Sequence, residues 1–227
     1  MCSATDCKNW VVDSPYKMCA RCRATTSRSL FRRRWLARLD VFEYYGKACV
    51  CCGELHPEFL TIDHINGREP RAEVKGIRGT PLYYWLSTHG FPEGFRTLCM
   101  SCNFALGYFG KCPHGGLVQV SKVGRPDEGK VSEAVKTKQR EYNREMKIAA
   151  VAAYGGACSC CGETRFELVN IASEGGVQFR KKLGCRNLYV WLKQNGYPSG
   201  FYVRCMNCNF SLTQYGYCPH QQVAATG

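Results

Sequence analysis

Phe59-Leu60-Thr61-Ile62-Asp63-His64 lies between two cysteine knuckles, Cys49-Val50-Cys51-Cys52 and Cys99-Met100-Ser101-Cys102, and Asn103 directly follows the last cysteine. Two CxxC knuckles supply four thiolates, the complement of a closed tetrahedral structural zinc. The six residues between them read as a short apolar strand that delivers a carboxylate and an imidazole to its end. An imidazole there can take a proton from water near neutral pH. The oxygens of Asp63 and Asn103 suit a hard cation such as magnesium. On this reading zinc holds the frame and a second metal takes part in the chemistry.

The segments Tyr45-Gly-Lys-Ala-Cys-Val-Cys-Cys-Gly53, Ile62-Asp-His-Ile-Asn-Gly67 and Leu98-Cys-Met-Ser-Cys-Asn103 together resemble the HNH, or His-Me finger, nucleases. The likeness is to the zinc-stapled branch that includes phage HNH endonucleases and endonuclease VII-type junction resolvases, and it covers roughly residues 41–114. It implies His64 as general base, Asp63 and Asn103 as ligands of a catalytic magnesium or manganese ion, and at most a supporting role for Asn66.

The 17 cysteines of this 227-residue chain point to small metal-stapled modules, because short segments bury too little core to be stable alone. Disulfides are the competing explanation. Against them stand the odd count, the concentration in CxxC pairs, the lack of a signal peptide after Met1-Cys2 and the absence of any apolar run of membrane-spanning length. A reducing, cytoplasmic setting is expected, with viral or mobile-element origin suggested by association. Iron could replace zinc among four thiolates, but nothing else in the chain suggests electron transfer. A formal net charge of +13 implies a polyanionic partner, DNA or RNA, rather than a membrane surface, which would need a basic helix with a broad apolar face.

Cys2, Cys7, Cys19 and Cys22 suggest a further zinc module of knuckle or ribbon type; the alternative is a free Cys2 in a partly disordered segment. Residues 28–45 are predicted to be a helix with Phe31, Trp35, Leu39 and Phe42 on one face and Gly46 as its stop. Arg28, Arg32, Arg33, Arg34 and Arg38, with no acid among them, favour phosphate contact over a merely solvated face. A second helix is predicted over Thr80–Thr88, with Thr80 as N-cap and Pro81 as first helical residue. Before it runs a basic loop containing Arg68, Arg71, Lys75 and Arg78, which could reach substrate or simply be solvated. Arg96 is a candidate to hold a phosphate.

A repeat begins near residue 150. Tyr154–Gly162 matches Tyr45–Gly53, and residues 188–220 align without gaps to 82–114 with 18 of 33 positions identical by direct count. Cys158, Cys161, Cys205 and Cys208 therefore recreate a zinc site, and Asn209 corresponds to Asn103. Where the first copy reads Ile62-Asp-His64, the second is read as Val169-Asn-Ile171, without a base. A helix is predicted near 131–154, with Val135, Tyr142, Met146, Ala149 and Ala153 as its apolar stripe and mixed charges that favour salt-bridged solvation. Basic residues such as Arg180, Lys181, Lys182 and Arg186 would let the second copy add affinity. Cys51, Cys160 and Cys185 are read as packing residues, since a tetrahedral ion has no place for a fifth thiolate. Cys112-Pro-His114 and Cys218-Pro-His220 occur in both copies and read as structural, with an extra zinc as the alternative.

The expected fold is α+β: a four-cysteine module at 1–27, an active ββα-metal module at 28–114, a linker at 115–131, a degenerate copy at 132–220 and a tail at 221–227. Three structural zinc ions are expected. The expected function is metal-dependent hydrolysis of DNA, duplex or branched, by nicking. Double-strand cutting would need a homodimer or two sequential nicks. The alternatives are a non-catalytic zinc-dependent nucleic-acid-binding protein and a protein-interaction module of treble-clef zinc fingers.

Overall fold

The computed structural model describes residues 3, 7, 8, 20–65, 77, 79–115, 117, 132–176, 179 and 182–223. Cys2 and Cys19 of the amino-terminal zinc module, Asn66, most of the basic loop including Arg78, most of the linker, and Arg180 with Lys181 lie outside the described residues. The chain forms two compact units that do not follow chain order: Met1–Tyr45 with Pro70–Glu93, and Gly46–Glu69 with Gly94–Gly227. The architecture is mixed, helices with two small antiparallel sheets, as the α+β expectation required.

In the first unit α1 (Ala20–Tyr45) packs against α2 (Thr80–Thr88). A nine-residue helix is only about 13 Å long and covers only part of α1. Ala37, Val41 and Phe42 are therefore buried, whereas Phe31, expected on the same stripe, is 47% exposed. Phe42 meets Tyr83 edge to face at 5.9 Å, and the Tyr45 hydroxyl donates to the Pro92 carbonyl at 2.6 Å. The cap of α2 is Gly79, not Thr80. Its φ of 60° favours glycine, its carbonyl accepts from the Leu82 amide, and Thr80 is already helical.

The second unit contains both cysteine repeats. The first has β1 (Leu60–His64), β2 (Phe95–Cys99) and α3 (Met100–Phe109). The second has α4 (Glu133–Ala153), β3 (Val169–Ser173), α5 (Leu188–Gln194), β4 (Phe201–Cys205), α6 (Met206–Tyr215) and α7 (Pro219–Val223). In each, a two-stranded antiparallel sheet runs through its last cysteine-bearing strand directly into a helix. Leu60, Ile62, Leu98 and Leu106 fill one core; Leu168, Val169, Ile171 and Val203 fill the other. On α4 the buried residues are Met146, Lys147, Ala150 and Val151, while Val135 and Tyr142 of the expected stripe are exposed.

Strand register corrects the alignment of the two copies. Leu60 pairs with Cys99 and Val169 with Cys205, so Val169 is the counterpart of Leu60, not of Ile62. Counting along the strands, Asp63 and His64 correspond to Ala172 and Ser173. Their cross-strand partners Arg96 and Phe95 correspond to Tyr202 and Phe201. Taking Asn170 and Ile171 as the replacements is a two-residue slip. In a pleated strand, residues two apart share a face, so the apolar pattern alone does not expose such an error.

The repeats meet through α3 and α6. The Ser101 amide donates to Asn207 Oδ1 at 2.8 Å, and the Asn207 amide donates to Ser101 Oγ at 3.2 Å. Beside this contact Lys147 reaches across to the first repeat. Its Nζ lies 5.5 Å from the Phe104 and Phe109 ring centres and 4.7 Å from that of Phe166, and it donates to the Phe166 carbonyl at 3.0 Å.

Candidate metal centres and the strand-end site

Each first knuckle is a tight turn. In one, Gly53 N–H donates to the Cys49 carbonyl at 2.8 Å and Cys49 N–H to the Glu54 carbonyl at 2.9 Å; Gly162, Cys158 and Glu163 repeat the pattern. Gly53 and Gly162 have φ of 75° and 76°, where a side chain would be strained. Each second knuckle caps a helix: Cys99 Sγ accepts from the Cys102 amide, and Cys205 Sγ from the Cys208 amide, both at 3.4 Å.

These turns gather Cys49, Cys52, Cys99 and Cys102, and separately Cys158, Cys161, Cys205 and Cys208, each set with its sulfurs within 4.8 Å of one another. Four sulfurs about 2.3 Å from one zinc would lie about 3.8 Å apart. Cys52 and Cys99 are separated by 3.8 Å and Cys161 and Cys205 by 3.7 Å, far beyond a disulfide bond of about 2.05 Å. The thiols also compete for charge. Hydrogen bonds from Cys102, Cys52 and Cys99 push Cys49 well below the usual thiol range, while those same contacts with Cys49, Cys52 and Cys99 push Cys102 far above it. A cation is what allows such a set to ionise together. Both tetrathiolate groups can hold zinc. Of the amino-terminal set only Cys7 and Cys22 are described.

Two further groups are brought together: Cys51, Cys102 and Cys112, and Cys160, Cys208, Cys218 and His220. The sequence reading offers an extra zinc at the Cys-Pro-His motifs only as an alternative and leaves Cys51 and Cys160 out of it. Cys51 and Cys160, read from the sequence as packing residues, thus stand in groups that could hold a metal ion. The available signal is the recurrence of Cys-Cys and Cys-Pro-His at the same places in both copies. Burial, and then the charge of Arg165, push the His114 imidazole below its ordinary value, which favours the neutral ligating form.

At the end of β1, Asp63 and His64 occupy adjacent and therefore opposite-facing positions. Arg96, the cross-strand neighbour of Asp63, places Nε and Nη2 each 2.8 Å from Asp63 Oδ2. Burial raises the Asp63 carboxyl above its usual range, opposed by the hydrogen bond and charge of Arg96. Arg96, considered for phosphate, is engaged with Asp63. The His64 ring lies 4.7 Å from that of Phe95. Asn103 is in the first turn of α3, a helix that packs on β1 and β2. This strand end thus offers a carboxylate held by an arginine on one face and an imidazole against Phe95 on the other.

A separate cleft of about 610 Å³ lies where the repeats meet, lined by Cys52, Glu54, Ser101 and His114 from one and Cys161, Glu163, Arg165, Asn207 and His220 from the other. Neither Asp63, His64 nor Asn103 lines it. Arg28, Arg32, Arg33 and Arg34 are exposed on α1, whereas Arg38 donates to the Tyr83 hydroxyl at 3.2 Å and stacks over Phe42 and Tyr83. Among the described residues no helix is long and apolar enough to cross a membrane. In comparisons with known proteins, the chain matches no family model, no curated protein and no solved structure.

Proposed function

We propose that the protein is a metal-dependent endonuclease of the HNH type, acting on DNA and nicking one strand, with the first repeat active and the second degenerate. The observation that carries this reading is a difference between two otherwise matching frames. The same knuckles, sheet and capped helix recur, yet Asp63, His64 and Arg96 give way to Ala172, Ser173 and Tyr202. A purely structural strand end would have little reason to hold a half-buried carboxylate against an arginine in one copy and dispense with both in the other. In each repeat two paired antiparallel strands, separated in sequence by a helix, lead directly into a second helix, an arrangement that supports a reading as tandem ββα-metal modules.

In this reading His64 takes the proton of the attacking water, a role worth roughly 10²–10⁴ in rate, and it must be neutral to do so. Asp63 and Asn103 offer the hard oxygen donors that suit magnesium or manganese, and both Arg96 contacts to Asp63 fall on Oδ2. When bound, the ion supplies Lewis-acid stabilisation of the phosphate and the leaving oxygen. Arg96 fixes the carboxylate, and the tetrathiolate site fixes the ends of β2 and α3. The net charge of +13 and the exposed arginines of α1 suit a polyanionic substrate.

The rival reading is a non-catalytic nucleic-acid binder, and the Asp63–Arg96 ion pair is the feature it can claim as simple structural pairing. Incubating supercoiled plasmid with magnesium or manganese separates the two. Wild type converts it to open circles, and His64→Ala does not while retaining zinc and duplex binding. Equal cleavage by both proteins overturns the assignment of His64, and no cleavage by wild type favours the binder.

A further inference from the structure

We infer that each repeat holds a binuclear zinc cluster in which Cys102, and equivalently Cys208, bridges two ions. In the second repeat Cys208 belongs both to the tetrathiolate set and to a second set completed by Cys160, Cys218 and His220. Within that second set, His220 Nδ1 is 3.2 Å from Cys208 Sγ and 3.8 Å from Cys218 Sγ, and Cys160 Sγ is 3.6 Å from Cys218 Sγ. The first repeat gathers the three equivalent sulfurs, Cys102 shared with Cys51 and Cys112, and His114 Nδ1 stands 3.3 Å from Cys102 Sγ and 3.7 Å from Cys112 Sγ.

Sulfur and nitrogen ligands about 2.3 and 2.0 Å from one zinc would lie roughly 3.5 Å apart, so these spacings are near tetrahedral edges. Three sulfurs and one imidazole nitrogen form an ordinary structural zinc set. The fifth thiolate in each knuckle is thereby explained. It has no place on the first ion but serves the second, and a thiolate has lone pairs enough for two metals.

The surroundings support ligation. Burial keeps Cys112 and Cys218 at 3% and 0% exposure. The chain after His114 runs so close over Cys51 that a Cβ on Gly115 would stand 2.2 Å from the Cys51 carbonyl oxygen. The other nitrogen of His114, Nε2, lies 3.8 Å from Glu163 Oε2 of the opposite repeat. At that distance the pair is a charge contact rather than a hydrogen bond, and Glu163 Oε2 accepts from Arg165 Nη2 at 2.7 Å. Charge is also balanced. In each repeat the second ion brings two positive charges and Cys51 with Cys112, or Cys160 with Cys218, brings two negative ones.

The proposal is independent of the nuclease reading, since it is read from metal content and spectroscopy. Full-length protein purified without chelator should lose two zinc ions per chain in Cys51→Ser/Cys160→Ser, with the tetrathiolate sites retained. An unchanged count overturns the proposal. Cadmium-113 exchanged into the wild-type protein avoids any dependence on variant folding. Two pairs of resonances, each pair split by coupling through a shared sulfur, are expected. Uncoupled tetrathiolate signals alone overturn the proposal, as does a Cys51–Cys112 or Cys160–Cys218 disulfide found by mass spectrometry of freshly isolated protein.

Discussion

Ser101 and Asn207 occupy the same position in successive repeats and exchange amide hydrogen bonds, each backbone N–H donating to the other's side chain. Residue i contacts j and j contacts i, the signature of a two-fold interface, here formed within one chain. Both residues are buried, at 3% and 8% exposure. Asn207→Ala removes the acceptor of the Ser101 amide and is expected to cost about 1–3 kcal/mol. Asn207→Ser, which makes the contact chemically symmetric, should cost less. Denaturant midpoints at fixed zinc concentration compare the three proteins. For the same reason a chain ending near residue 130 should be poorly soluble, because the face of α3 that packs on α6 is then uncovered.

Transplanting the strand end of the second repeat into the first should separate folding from chemistry. Asp63→Ala/His64→Ser/Arg96→Tyr installs residues that the same frame already accommodates at 172, 173 and 202. This triple variant is expected to retain wild-type zinc content and helicity and to lose plasmid nicking by at least 10²-fold. Loss of zinc on this substitution would show that the strand end supports the frame itself.

Arg28, Arg32, Arg33 and Arg34 should act differently from Arg38. For every phosphate left unneutralised by Arg→Gln at the four exposed positions, the log–log salt dependence of duplex binding should flatten by about 0.9. Arg38→Gln should instead lower the melting temperature, because its guanidinium lies 5.2 and 5.0 Å from the Phe42 and Tyr83 ring centres. The measurements are binding isotherms across a salt range and thermal unfolding for each variant.

Burial pushes the Lys147 ammonium down to about 8, opposed by the charge of Glu167. Between that value and its ordinary 10.5 the unfolded chain binds the extra proton. The contribution of Lys147 to stability is therefore full above about 10.5 and is lost as pH falls toward 8. The three ring faces offset part of the cost. Relative to Lys147→Met, wild type should gain at most about 3 kcal/mol across that window. Parallel pH dependences for the two proteins would contradict this assignment.

The cysteine knuckles, the strand between them and the duplicated frame are legible because metal ligation imposes spacing that is visible in the chain. The helix end at Tyr45 follows from periodicity and Gly46, and α4 lies near its expected range, whereas α1 starts at Ala20, eight residues before the expected start. What escapes depends on tertiary geometry. The slip between Asp63 and Asn170 preserves the in–out pattern of the strand, and only the ladder from Cys99 and Cys205 resolves it. Arg96 lies 33 residues from Asp63, so only the antiparallel pairing brings them together. Phe31 carries the right period for burial, yet it is 47% exposed. Cys51 and Cys160 read as packing residues only while ligands are counted against one ion per frame.

The reciprocal contact at Ser101 and Asn207 also bears on how a second strand could be cut. Two separate subunits would have to find each other at the prevailing concentration, but two halves on one chain meet at a local concentration fixed by the tether, independent of dilution. Their self-complementary face is already covered, so it is closed to recruitment of another molecule. If the chain nicks DNA as proposed, a second molecule must dock elsewhere on the surface, and sensitivity of double-strand cleavage to protein concentration would report on that other face alone.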